Sequence, residues 1–273
     1  MLRVLSFGGG VQSVTLARMA LDGELEPLDA MIFADPGAEL PGTYEAVGQI
    51  EAACHNRGID FIRVTSRRKG SSGNLYTDLM QPSVRSRYSA PPLYIRDARG
   101  LGMTKRQCTG DFKIKPIEAA LRELTGIGRR RKFPDGPVVE EWLGISVDEK
   151  QRMRVSTKPW LAIRYPLIER NMRRVDCERW LQDSGYPVPP KSACFFCPYQ
   201  SDARWRQMRD EQPEYWAKSV ALDEHVRAHP GMFKGAPHLH RSGVPLADVD
   251  LRTAVERGQS DLFDDECAGV CGV

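Results

Sequence analysis

The sequence predicts an α/β fold: a doubly wound, mostly parallel sheet with helices on both faces, followed by a helical, cysteine-bearing C-terminal region. Two observations lead to this prediction. Short apolar runs alternate with segments of helical periodicity in the first half of the chain, which is typical of strand–helix units. The length of 273 residues suits one large domain or one domain with a smaller appendage. We expect right-handed crossovers between the strands.

The elements are predicted in chain order from apolar periodicity. The candidate strands are residues 2–7, 30–34, 61–64 and 141–145. Apolar side chains recur at helical spacing in residues 14–21, 44–57 and 114–124. Between residues 67 and 102 Gly, Ser, Pro and Arg dominate, which predicts a long loop. Further on, Ser201 and Asp202 are expected to cap a helix that runs through Arg209, and Pro213 is expected to start another.

The composition excludes several classes of protein. With 41% hydrophobic and 27% charged residues, the chain is neither disordered nor collagen-like. No apolar run approaches the roughly 20 residues that span a bilayer, and the N-terminal residues do not form a secretory signal, so we expect no membrane association and a cytoplasmic location. The formal charge of +3 is too small to mark an obligate nucleic-acid binder.

A glycine-rich loop joins the first predicted strand to the first helix, with the sequence Ser6-Phe7-Gly8-Gly9-Gly10-Val11-Gln12-Ser13. Glycines tolerate left-handed backbone, and the free amides and dipole at a helix start favour negative charge. The loop therefore predicts an anion site, with the hydroxyls of Ser6 and Ser13 as further donors. A flexible turn without a ligand is the alternative.

The seven cysteines occur without an export signal. In a reducing compartment such thiols bind metals or act in catalysis more often than they form disulfides. Cys194 and Cys197 form a C-x-x-C motif whose thiolates can converge on one metal. Cys54 and Cys177 lie in predicted amphipathic helices and are expected to be packing residues.

The glycine loop is similar to the S-G-G-x-D-S phosphate loop of the PP-loop superfamily of adenine nucleotide alpha hydrolases, although Phe7 is inserted and Gln12 occupies the acidic position. Four further segments resemble phosphoadenylyl-sulfate reductases in the same order. They are 33–44 (FADPGAELPGTY), 107–117 (QCTGDFKIKPI), 144–152 (GISVDEKQR) and 165–197, which holds Tyr-Pro-Leu-Ile and the C-x-x-C motif.

This resemblance implies an enzyme that binds an adenine nucleotide or sulfonucleotide. The residues expected to bind it are Ser6, Gly8, Gly9, Gly10, Gln12, Ser13, Asp35, Lys113, Gly144 and Arg152. Asp35 follows a strand and either accepts hydrogen bonds from a ribose or an adenine amino group, or caps the next helix. Lys113 and Arg152 are candidates for pairing with phosphate or sulfate oxygens.

The resemblance also places Cys108 beside Cys194 and Cys197 as a third metal ligand. In the iron–sulfur branch of these reductases a Cys-Cys doublet supplies two ligands, whereas this chain has only Cys108. The three thiolates are expected to hold a four-iron four-sulfur cluster. The cluster either gains a fourth ligand, from Cys267, Cys271 or His240, or leaves one iron open. A structural zinc site is the alternative.

The C-terminal residues resemble the E-C-G-x-H tail of the same reductases. There a mobile thiolate attacks the sulfonate sulfur, which assigns Cys267 as nucleophile and Cys271 as resolving thiol. The histidine of that tail is missing here. Alternatively, the two cysteines complete a metal site.

Three hypotheses follow. The first is a sulfonucleotide reductase-like oxidoreductase that uses a thiol reductant protein. The second is an ATP-dependent sulfurtransferase that acts on a nucleic acid or another acceptor. The third is a zinc-stabilised nucleotide-binding module without turnover. We expect a nucleotide-binding domain at residues 1–175, a helical region with the C-x-x-C metal site at 176–260, and a flexible tail at 261–273.

Overall fold

The computed structural model describes residues 1–81, 91–98, 100–128, 135–229, 235–253 and 256–257. The strands of this described part are β1 (Leu2–Phe7), β2 (Ala30–Ala34), β3 (Asp60–Val64), β4 (Tyr94–Asp97), β5 (Gly100–Met103), β6 (Val139–Leu143), β7 (Leu161–Arg164) and β8 (Ala236–His238). Five of them form one parallel sheet in the order β3-β2-β1-β6-β7. The order reverses at β1, which creates the switch point where such sheets bind ligands.

The helices of the described part are α1 (Val11–Leu21), α2 (Pro41–His55), α3 (Leu75–Leu79), α4 (Lys115–Leu124), α5 (Pro166–Glu169), α6 (Arg174–Asp183), α7 (Asp202–Glu211) and α8 (Pro213–Ala228). Helices α1, α2 and α6 pack on one face of the parallel sheet and α4 packs on the other, whereas α7 and α8 pack with each other and with residues outside this sheet. One π-helical turn, Gly110–Ile114, precedes α4, and 3-10 turns span Val147–Arg152 and Leu246–Asp248.

Side chains that alternate along β2 divide the core into two layers. Met31 and Phe33 pack with residues of α1, α2 and α6, whereas Ala30 and Ile32 pack with residues of α4 on the other face. Because successive side chains of a strand point to opposite faces, a strand buried on both sides must be apolar throughout. The doubly wound parallel sheet predicted from the sequence is confirmed.

The prediction of a continuous loop over residues 67–102 is wrong for the described part of that range. It contains α3 and a β4–β5 hairpin, and β8 pairs with β4 to complete a three-stranded antiparallel sheet. Leu75 and Leu93 are buried in a cluster with residues of α7 and α8. This order depends on partners more than 100 residues away, which local periodicity does not reveal.

The C-terminal helices follow the sequence signals closely. The Ser201 hydroxyl accepts a hydrogen bond from the amide of Arg204 and caps α7, and α8 begins at Pro213, as predicted. Asp223 of α8 is fully buried and accepts hydrogen bonds from the amides of Leu239 and Leu246. This carboxylate therefore attaches the chain around β8 to α8.

Several boundaries differ from the predictions. The helices α1 and α2 begin three residues earlier than predicted, the fourth predicted strand is shifted to Val139–Leu143, and β7 was not predicted. In the described part of the chain no helix combines the length and the apolar character that a membrane crossing needs. The described residues do not include Cys267, Cys271 or the basic segment 129–132 (RRRK). The domain boundaries given above stay a prediction.

Candidate functional site

The glycine loop leaves the carboxyl end of β1 and leads directly into α1. Gly10 is the N-cap of α1; no side chain caps this helix and its first turn holds no acidic residue. The first amides of α1 and the positive end of its dipole therefore remain available to an anion. Gly9 has a φ of +73°, and a Cβ atom there would lie 2.8 Å from Cγ2 of Thr43. The loop is thus packed tightly against the start of α2.

Gly144 follows β6 directly and lies against the start of α1, next to the glycine loop. A Cβ atom on Gly144 would lie 3.0 Å from the backbone nitrogen of Ser13. The close approach of β6 to α1 fixes the switch point between β1 and β6, beside the glycine loop. Gly144 and Ser13, two of the residues expected to bind the nucleotide, therefore lie next to each other at this switch point.

Three polar side chains near the loop are engaged within the protein. Ser6 donates to Oε1 of Glu141 at 2.5 Å, and Ser13 donates to the carbonyl of Gly10 at 3.0 Å. Gln12 is buried, and its Nε2 lies 3.4 Å from Oε2 of Glu149. The neutral amide of Gln12 thus contacts the carboxylate of Glu149. An acidic residue at position 12 would be repelled by this carboxylate, because both carry a negative charge.

Arg152 lies in the same polar network. Its guanidinium is 2.8 Å from a carboxylate oxygen of Glu149. Burial raises the pKa of Glu149, and the charge of Arg152 opposes this effect. Arg174 also contacts Oε1 of Gln12, at 3.5 Å. Two guanidinium groups therefore belong to the polar network around Gln12.

Asp35 has a local structural role. Its Oδ1 accepts hydrogen bonds from the amide of Gly37 at 2.7 Å and from the hydroxyl of Tyr44 at 2.8 Å. Burial and the Asp35 carboxylate raise the pKa of Tyr44. These contacts tie the end of β2 to α2 and orient the Asp35 side chain at the sheet edge. The alternative that Asp35 caps the next helix is wrong, because Leu40 is the N-cap of α2 and no side chain caps this helix.

The three cysteines predicted as metal ligands line one pocket. Cys108, Cys194 and Cys197 lie in its wall. The same wall carries two cationic and two hydroxyl side chains, from Arg106, Lys113, Thr109 and Ser192. The structure thus places Lys113 in the cysteine pocket and pairs it with Glu39 at 3.2 Å.

Backbone pairing holds the C-x-x-C segment in this pocket. Cys194 forms an antiparallel bridge with Glu39, and the amide of Phe195 donates to the carbonyl of Ala38 at 2.9 Å. The amide of Cys197 donates to the carbonyl of Cys194 and closes a turn. The segment that follows β2 therefore positions both thiols.

Electrostatics in the pocket favour protonated thiols. Burial raises the pKa of Cys108, and the charge of Arg106 acts against it. Burial and the carboxylate of Glu39 raise the pKa of Cys194 well above its ordinary value, and Lys113 acts against them. Deprotonation of these thiols thus needs a further positive charge, which a bound metal provides.

The donor chemistry of the pocket fits a thiophilic metal or an iron–sulfur cluster, since thiolates are the ligands that both prefer. Within the ranges that the structure describes, no three His, Cys, Asp or Glu side chains are gathered around a point that could hold a metal ion. His240 is engaged elsewhere: Nε2 lies 3.0 Å from Asp202 and Nδ1 lies 2.8 Å from Ser242.

Ser192 connects the glycine loop to the cysteine pocket. Its Cβ lies 3.5 Å from the position of a Cβ on Gly10, and its hydroxyl donates to Oε2 of Glu39 at 3.2 Å. Ser192 also lines the cysteine pocket. Ser192 therefore lies between the glycine loop and the cysteine pocket.

Sequence reasoning missed three residues of this site: Glu39, Arg106 and Ser192. Each lies within five residues of a predicted site residue, but no spacing rule marks it. Glu39 follows Asp35 by four residues in a segment without helical or strand periodicity. Only its burial opposite Lys113 reveals its role.

No family model and no curated protein sequence matches this chain. Solved structures similar to it include the following two. The crystal structure of phosphoadenylyl-sulfate reductase from Candida auris, a phosphate complex, has a TM-score of 0.46 at 14% identity, over 69% of this chain and 75% of that chain. The U34-tRNA thiolase NcsA from Methanococcus maripaludis, with its 4Fe-4S cluster, has a TM-score of 0.40 at 11% identity, over 82% of this chain and 71% of that chain. We therefore argue function from the site.

Proposed function

We propose that this protein is a phosphoadenylyl-sulfate reductase-like enzyme that binds an adenine sulfonucleotide at the Gly8–Gly10 loop and performs sulfur chemistry beside the cysteine pocket. The observation that carries the proposal is the position of Ser192, whose Cβ lies 3.5 Å from the position of a Cβ on Gly10 and which lines the pocket that holds Cys108, Cys194 and Cys197. An anion site and a thiol site this close suit a substrate that joins a phosphate to a sulfur.

The proposed reaction uses the loop amides to bind the phosphate oxygens, while Lys113 and Arg106 face the sulfonate. The Cys267 thiolate attacks the sulfonate sulfur, the sulfur–oxygen bond breaks, and the nucleoside phosphate leaves with the electron pair. A second thiolate, assigned to Cys271, attacks the sulfur of Cys267 and displaces sulfite. The resulting disulfide is reduced by an external dithiol, which supplies the two electrons.

The test is a product assay with the full chain, purified without oxygen. Adenylyl sulfate and its 3'-phosphorylated form are each incubated with dithiothreitol, and sulfite and the nucleoside phosphate are quantified. We expect equal amounts of both products, no activity in Cys267→Ser, and retained activity in the control Cys54→Ala, whose side chain is buried in the core layer of α1 and α2. Absence of sulfite with both substrates would overturn the proposal.

A second candidate, an ATP-dependent sulfurtransferase, is favoured by the number of thiols in the pocket. The proposed reductase reaction uses Cys267 and Cys271. It leaves Cys108, Cys194 and Cys197 without a role, although all three line one pocket. These residues would hold a four-iron four-sulfur cluster, which supplies a binding site for sulfide at an iron without a protein ligand. The loop would bind ATP, and the acceptor would attack its α-phosphate with release of pyrophosphate.

Two product assays and a metal analysis separate the alternatives. Pyrophosphate release from ATP that requires an acceptor supports the sulfurtransferase, and sulfite release from a sulfonucleotide supports the reductase. Iron and zinc are quantified in wild type and in Cys108→Ser, with Cys54→Ala as control. An iron content of about four per chain with visible absorption, lost in Cys108→Ser, supports the cluster. One zinc per chain without turnover supports the nucleotide-binding module.

A further inference from the structure

We propose that a cationic groove along α4 binds the phosphate backbone of a nucleic acid. The groove is lined by Arg67, Arg68, Asp111, Lys115, Pro116, Ala119, Arg122, Glu123, Gly126, Ile127 and Gly128. Four of these side chains are basic and two are acidic, so its lining carries a formal charge of +2. The excess is local, because the whole chain carries only +3.

The shape of the groove suits a strand better than a small anion. It follows α4 from Lys115 to the residues after its C-terminus. Ten helical residues span about 15 Å, which exceeds the length of one phosphate group and matches several nucleotides of a backbone. Its cations are spread along this length, whereas a site for a single phosphate would gather them around one point.

The ion pairs in the groove do not prevent phosphate binding. Arg67 pairs with Glu123, and Lys115 lies 2.5 Å from Asp111. The side chains of Arg67 and Lys115 are 63% and 73% exposed, so water screens both pairs and both are weak. Their cations can therefore turn to a phosphate at small cost. Pro116 and Ala119 also line the groove and contribute apolar surface.

The groove lies beside the cysteine pocket. Asp111 and Lys115 line the groove, whereas Phe112 and Lys113 of the same turn line the pocket. A nucleic acid in the groove would thus be separated from the thiols by one helical turn. Its role as a sulfur acceptor rests on the second candidate function, but its binding does not.

The test measures fluorescence anisotropy of labelled RNA and DNA of about 20 nucleotides, single-stranded and duplex, with the full chain and no nucleotide cofactor, at about 50 to 200 mM salt. The variant Arg67→Gln/Lys115→Gln removes two groove cations. Its matched control, Arg209→Gln/Lys218→Gln, removes two exposed cations of α7 and α8 that form similar pairs with Asp210 and Glu214. Both variants change the net charge by the same amount.

We expect wild type to bind at least one probe with an affinity that falls as salt rises. Each lost phosphate contact reduces the salt slope by about 0.7 to 0.9 and the affinity by about five-fold at 0.1 M salt, hence about 25-fold for two contacts. The control variant should bind as wild type does. Absence of binding at low salt, or an equal loss of affinity in both variants, would overturn the proposal that this groove binds a nucleic acid. Binding in the groove without acceptor-dependent release of pyrophosphate from ATP would retain the groove and reject the sulfurtransferase.

Discussion

The ammonium of Lys113 lies 3.2 Å from Oε1 of Glu39, whose side chain has no exposed surface. Burial lowers the pKa of Lys113, but the charge and the hydrogen bond of the Glu39 carboxylate act against burial, and the net effect raises this pKa above its ordinary value. Lys113 therefore stays charged beside the thiols. Since Glu39 also pairs through its backbone with Cys194, one residue positions both the cation and the C-x-x-C segment.

The first prediction concerns this ion pair. Glu39→Gln leaves a buried ammonium without its counter-charge, and we expect the free energy of unfolding to fall by about 3 to 5 kcal/mol. Urea unfolding measures the change. As a control, Glu51→Gln removes the exposed pair with Arg63, where both side chains are 40% exposed, and should cost less than about 1 kcal/mol. Equal losses in the two variants would contradict the assignment of a buried pair.

The second prediction concerns Gly9, whose φ is +73° and where a Cβ atom would meet Thr43 at 2.8 Å. Gly9→Ala should shift the loop away from α2 and abolish nucleotide binding, measured by calorimetry with ATP and with adenylyl sulfate. Gly23→Ala is the matched control, because Gly23 has a φ of +81° with no atom within 4 Å of an added Cβ. It shares the backbone strain, about 1 kcal/mol, without the contact. Nucleotide binding by Gly9→Ala at wild-type affinity would show that the loop is not the binding site.

The third prediction concerns thiol reactivity. Burial raises the pKa of Cys54 to about 11 and that of Cys177 to about 12, and neither side chain is exposed. Because the thiolate is the reactive form, we expect iodoacetamide at about pH 8 to leave both residues unmodified in the folded protein and to modify both in concentrated urea. Peptide mass spectrometry identifies each site. Rapid modification of Cys54 or Cys177 without urea would contradict their role as packing residues.

The fourth prediction concerns stability in acid. The hydrogen bond from His240 and the contacts of Arg241 lower the pKa of Asp202 to about 2. A carboxyl whose pKa is lower in the folded state stabilises the protein above its unfolded pKa of about 3.9, and this contribution is lost as pH falls towards about 2. The difference in unfolding free energy between wild type and Asp202→Asn should be constant from about pH 6 to 5 and should shrink below about pH 4. A difference that stays constant down to about pH 3 would contradict this.

Local signals predicted much of the fold. Strands β1 and β2 were predicted with their observed bounds, because β2 is apolar throughout and the apolar run of β1 is interrupted only by Arg3 and Ser6. The starts of α7 and α8 were predicted because the Ser201 cap and Pro213 at the first turn of α8 act through contacts within one turn. The hairpin β4–β5 was missed, since its strands carry exposed and half-buried residues and its partner β8 lies more than 130 residues away.

The sequence by itself determined the parallel sheet, the glycine loop at the start of α1 and the C-x-x-C motif, because each depends on residues that are adjacent or periodic along the chain. The resemblance to known reductases supplied the expectation that Cys108 belongs with Cys194 and Cys197. Only the tertiary structure decided that Lys113 pairs with Glu39 and that Ser192 joins the loop to the pocket. These contacts link segments 74 and more residues apart, and the close packing that creates them depends on the whole fold.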